Sequence, residues 1–167
     1  MKKLLVLTAV LLLSVAPAMA GNYLKGTVGY FSPTESKIDG AITLNVAGGI
    51  NLKEQLAAPV SVELGIGYTA PESGDLTIIP ITLTGLYELP LNLSNTAFNV
   101  GAGLGLYMWD ANGGPDGLDF GFHVQAGAEF ALNEQLALIG EVKWAKVDFD
   151  NFDGGGTSVN VGAKYNF

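Results

Sequence analysis

His123 is the one histidine among 167 residues, and cysteine is absent. A lone imidazole can serve as a general base or a metal ligand, but both tasks need company. Acyl transfer needs a nucleophile within hydrogen-bond reach of the base. Zinc needs three or four His, Cys or carboxylate ligands. His123 has Phe122 and Val124 as chain neighbours, Gly121 and Gln125 two places away, and no serine beside it. It therefore reads as a hydrogen-bonded interior side chain, and no catalytic residue is assigned. Asp148, Asp150 and Asp153, with Asn151 among them, crowd oxygen donors into a glycine-rich stretch of the kind calcium favours. Their spacing does not match the twelve-residue calcium loop, so the stretch is expected to be a solvated acidic loop. No metal and no cofactor is assigned.

A second group of residues is ionic. Lys25, Glu63, Glu88, Glu129, Glu141, Lys143 and Lys164, with His123 and Gln125, all fall on the small-residue side of alternating segments. Charges confined to a narrow interior must be paired or hydrated. The expected arrangement is a structural polar network that fills the interior.

The elements that hold these residues are strands. Val60 to Tyr68 sets Val60, Val62, Leu64, Ile66 and Tyr68 against Ser61, Glu63, Gly65 and Gly67. The same period of two runs from Phe98 to Met108, from Leu118 to Leu132 and from Ser158 to Phe167. Four further strands are expected near Tyr23–Phe31, Ala41–Ile50, Ile78–Leu89 and Leu136–Phe149. Turn signals separate them at Ser32-Pro33, Pro71–Gly74, Asn112–Pro115 and Asp153–Gly156. Pro80 cannot donate to a ladder, so it is expected near the top of the fourth strand, at a strand end or at a bulge that the consecutive Ile78-Ile79 allows.

Residues 1–20 stand apart. Lys2 and Lys3, an apolar run from Leu4 to Val15, and Ala18-Met19-Ala20 describe a cleavable secretory signal peptide. Cleavage would leave one domain, residues 21–167. It keeps six lysines against 16 acidic residues, a net charge of −10.

Composition narrows the class further. At 49% hydrophobic and 14% charged, with mean hydropathy +0.34, the chain is no disordered tail. It is acidic and has no arginine, which argues against nucleic acid as a partner.

Alternation alone does not say which face meets water, and a soluble periplasmic ligand-binding barrel remains one reading. The face opposite the apolar one is mostly Gly, Ala, Thr, Ser and Asn, suited to a crowded narrow interior. The apolar face carries Tyr87, Phe98, Phe130, Tyr165 and Phe167 towards one end, and Tyr30, Tyr68, Phe120 and Trp144 towards the other. Two aromatic girdles mark the interfaces of a membrane barrel. Hydrocarbon requires every backbone polar group to pair internally, so the strands must close. The expected fold is all-β: an eight-stranded antiparallel up-and-down transmembrane β-barrel behind a cleavable signal peptide. An even strand count puts both termini on one side, the periplasm, with acidic loops outside.

Gly101–Gly105, Gln125–Leu132, Leu136–Trp144 and Val161–Phe167 together resemble the small outer-membrane barrels of the OmpX, OmpW and OmpA-transmembrane group. The resemblance covers the mature chain. It implies that Val161, Ala163, Tyr165 and Phe167 form the C-terminal signal read by the barrel-assembly machinery. It further implies delivery by periplasmic chaperones, a monomer, and a site in the bacterial outer membrane among its lipids and lipopolysaccharide. Divalent cations could bridge the acidic loops to lipopolysaccharide phosphates. A structural or surface-interaction role is expected, with OmpW-like passage of small, apolar solutes as the alternative.

Overall fold

The computed structural model describes residues 22–34, 40–71, 76–91, 93–111, 116–149, 152–153 and 155–167. The signal segment and Asp150 lie outside the described residues. The described strands are β1 (Asn22–Pro33), β2 (Ala41–Asn51), β3 (Val60–Pro71), β4 (Leu76–Leu89), β5 (Thr96–Ala111), β6 (Asp116–Ala131), β7 (Leu136–Phe149), β8 (Phe152–Asp153) and β9 (Gly156–Asn166). One short helix, α1 (Lys53–Leu56), joins β2 to β3. Each long strand pairs antiparallel with its chain neighbours, and β1 pairs with β9, so eight strands close into a barrel. The two-residue β8 pairs only with β7, placing Asp148 opposite Asp153 at backbone level.

Closure carries a fixed stagger. From Gly26 one way round, the partners are Val46, Ile66, Ile81, Leu106 and Phe120. The other way they are Ala163, Leu138 and Phe130. The two routes meet on β6 ten residues apart, from 120 to 130. Spread over eight strands, that offset tilts each strand roughly 40° from the barrel axis. It is also even, so every side chain keeps its face through the closure.

Hydrophobic alternation dictates the two faces. Outward residues are exposed although apolar: Phe120 is 69%, Leu104 59% and Val161 59% accessible. Inward residues are buried although polar: His123 is 0% and Asn160 1% accessible. On the slope set by the stagger, Tyr87, Phe98, Phe130, Tyr165 and Phe167 share a level near the terminal end. Tyr30, Tyr68, Phe120, Phe122 and Trp144 share one near the loop end, where Phe122 and Trp144 meet edge to face at 5.6 Å between ring centres. The girdles stand roughly 20 Å apart, close to the ~25 Å apolar band of such barrels.

Three sequence expectations need correction. No bulge accompanies Pro80: Ile66–Ile81 and Thr69–Ile78 keep one register, and pairing merely lapses between them. The missing N–H is absorbed as a gap in the β3–β4 ladder, while pairing with β5 runs straight through Pro80. The segment after Asn51, where the alternating pattern places no element, contains α1, followed by Ala57 at φ 50°. β8 falls in what was read as a loop.

Candidate functional site: the barrel interior

Alternation puts every second residue of eight strands into one narrow space, and the side chains arrange by level. At the terminal end, the Lys164 ammonium donates to Glu129 at 2.7 Å and lies 4.2 Å from the centre of the Tyr23 ring. Asn99 also donates to Glu129, at 3.3 Å. One level higher, Lys25 donates to Glu63 at 2.8 Å and to Glu141 at 3.1 Å. The Tyr23 hydroxyl donates to Glu63 at 2.9 Å. These ties run between β1, β3, β5, β6, β7 and β9, so they cross the β1–β9 closure.

The middle levels are neutral and polar. Asn45 donates to Thr27 at 3.3 Å and Thr43 at 3.4 Å, and Asn160 donates to Ser158 at 3.0 Å. Thr84 and the His123 Nε2 lie 2.9 Å apart. The loop end is apolar: Ile78, Tyr107, Trp109 and Val147 pack into a lid, with Ala145 against it. The Trp109 indole N–H donates to Asp119 at 2.6 Å.

Of the nine residues expected inside, Lys25, Glu63, His123, Gln125 and Glu141 are buried, and Lys143, Glu129 and Lys164 are partly buried. Lys25, Glu63 and Glu141 form one cluster; Glu129 and Lys164 form a second. Glu88 is the exception. It lies on the lumen side of β4 but at the open terminal mouth, where it is exposed and its carboxylate joins no ion pair among the described residues. β4 ends at Leu89, one place beyond it, so no further turn of barrel covers it. Gln125 Oε1 and His123 Nδ1 are buried with no hydrogen-bond partner. No group of three or more potential metal ligands exists among the described residues.

The charged expectations omitted Tyr23, Thr84 and the Trp109–Asp119 pair. Parity could have found them: Tyr23 is two places from Lys25, and Trp109 two from Tyr107. What parity could not show is how the inward glycines are used. A Cβ on Gly105 would lie 2.7 Å from the Tyr107 ring, on Gly117 2.6 Å from the Trp109 ring, and on Gly103 2.6 Å from the His123 ring. These glycines make room for rings. A cavity of about 80 Å³ lies between the ionic cluster and the lid.

A family model described as outer membrane protein beta-barrel domain matches residues 5–167. No curated protein matches the chain by sequence. Among solved structures, Neisserial surface protein A superposes with a TM-score of 0.76 at 15% identity, covering 89% of this chain and 98% of that one. The N-terminal β-barrel domain of Pseudomonas aeruginosa OprF superposes with a TM-score of 0.66 at 14% identity, with the same coverages. The outer membrane enzyme PagL gives 0.55 at 13% identity, covering 87% and 99%. At these identities the likeness is one of fold.

Proposed function

The chain belongs to the outer membrane protein β-barrel family, and from that premise we propose that it is a closed, non-conducting barrel with a structural and surface-interaction role. One observation carries this reading. Among the described residues, the Lys25–Glu63–Glu141 cluster ties strands together across the interior and the Ile78–Tyr107–Trp109–Val147 cluster packs above it, which supports an occluded lumen. Family membership removes the soluble periplasmic alternative, and the exposed apolar band agrees with that. The terminal end faces the periplasm after removal of residues 1–20, and the acidic loop end faces outward. Val161, Ala163 and Tyr165 on the lipid face of β9, with Phe167 directly after it, form the row that the assembly machinery reads during insertion. Outer-membrane lipids and lipopolysaccharide surround the two girdles, and the barrel works as a monomer.

Bond chemistry is not part of this reading. Thr84 and His123 have the separation of a nucleophile and its base, but both are buried, at 2% and 0% accessible. No carboxylate orients the free His123 nitrogen. The test is planar-bilayer recording on the refolded barrel. A flat trace is expected; reproducible unitary current steps would favour OmpW-like passage instead.

A further inference from the structure

Lys143 sits on β7 with its side chain at the cavity, directly across the ladders from Gln125 on β6 and Ser158 on β9. Among the described residues it makes neither an ion pair nor a hydrogen bond. The reason is competition. Both nearby carboxylates, Glu63 and Glu141, direct an oxygen at Lys25, and Glu63 also accepts from Tyr23. Glu141 and Glu63 attract Lys143 at longer range, while Lys25 repels it. An enclosed ammonium without a close acceptor carries a desolvation penalty that a bound acceptor would relieve.

The cavity beside it has two kinds of wall. It is lined in part by hydroxyls, including Thr82, Thr84 and Ser158, the last directly across the ladder from Lys143. Towards the loop end it is lined by Phe31, Ile78 and Tyr107. A cavity of about 80 Å³ has room for several water-sized atoms. We propose that this cavity is a binding site for a short linear monocarboxylate, propionate to hexanoate in size. Its carboxylate accepts from the Lys143 ammonium and the neighbouring hydroxyls, and its alkyl chain lies beneath Phe31, Ile78 and Tyr107. Entry is from the loop end, beside Phe31 and Gly156, which also line the cavity. The site is a blind pocket, because the Lys25 cluster closes its floor.

The experiment is calorimetric titration of the refolded barrel, in nonionic micelles, with hexanoate. Barrel-free micelles and the neutral hexanamide serve as controls. Saturable one-to-one binding of hexanoate, at least tenfold weaker for hexanamide, is expected. Lys143→Met should abolish it. Ala145→Leu, which fills the cavity and keeps the ammonium, should abolish it as well. Folding of each variant is checked by the mobility shift between unheated and boiled gel samples. If Lys143→Met does not fold, Ala145→Leu and the amide control decide. Hexanoate binding that survives in either folded variant, equal binding of the amide, or no saturable heat because the cavity holds water only, would each overturn the proposal.

Discussion

At the scale of single residues, the interior is held by shared acceptors and fitted rings. Lys25 satisfies two carboxylates at once. Lys25→Met leaves Glu63 and Glu141 buried without their cation, a loss of about 3–5 kcal/mol for a broken buried pair. Lys164→Met should cost less, because Glu129 lies nearer the open mouth and keeps Asn99 as a donor. Urea unfolding in lipid vesicles gives the ranking, and equal midpoints for the two variants would contradict it. Gly105→Val should destabilise by about 1–3 kcal/mol, since the new side chain must displace the Tyr107 ring. Gly140→Ala, whose Cβ meets nothing within 4 Å, should leave the unfolding midpoint unchanged. The ionic residues themselves were legible in the sequence, since Glu63 and Glu141 fall on the small-residue face by simple parity. Their partners were not. Whether Lys25 or Lys143 takes the carboxylates depends on which levels the stagger brings together, and that offset is a property of the closed barrel.

At the scale of elements, the alternating pattern is nearly sufficient. The long strands follow from it, and the ends of β7 coincide with the expected Leu136 and Phe149. Departures occur where local chemistry competes. Pro80 needs neither a strand end nor a bulge and costs only ladder bonds on one side, because β5 pairs continuously along β4. α1 forms where Lys53–Leu56 offers neither alternation nor a glycine, and it leaves Leu56 exposed. β9 links sequence to assembly. Phe167, the residue directly after it, donates a backbone bond to Asn22 at 3.0 Å, and its ring packs against Tyr165 at 5.2 Å. Removing Phe167 should therefore change the stability of the refolded barrel little while lowering the amount inserted in cells. Unaltered surface levels would remove the assembly role assigned to this strand.

At the scale of the whole molecule, position along the axis decides what a lipid-facing site tolerates. Val142 lies between the girdles and is exposed, so Val142→Arg should cost about 2–4 kcal/mol. Lys146, four residues on and on the same face, shows that a cation is accepted at the level of Phe122, its ladder partner. If unfolding showed Val142→Arg to be neutral, that face would not be the one that meets acyl chains.

The wall of the barrel also separates its two tryptophans, Trp109 within the lid and Trp144 outside in the upper girdle. The protein thus carries a pair of built-in optical probes divided by a single sheet. Bromine atoms attached to the phospholipid tails should dim the emission of Trp144 and spare that of Trp109. Each side of the cylinder can then be followed separately, without attaching a dye, while the chain inserts and closes.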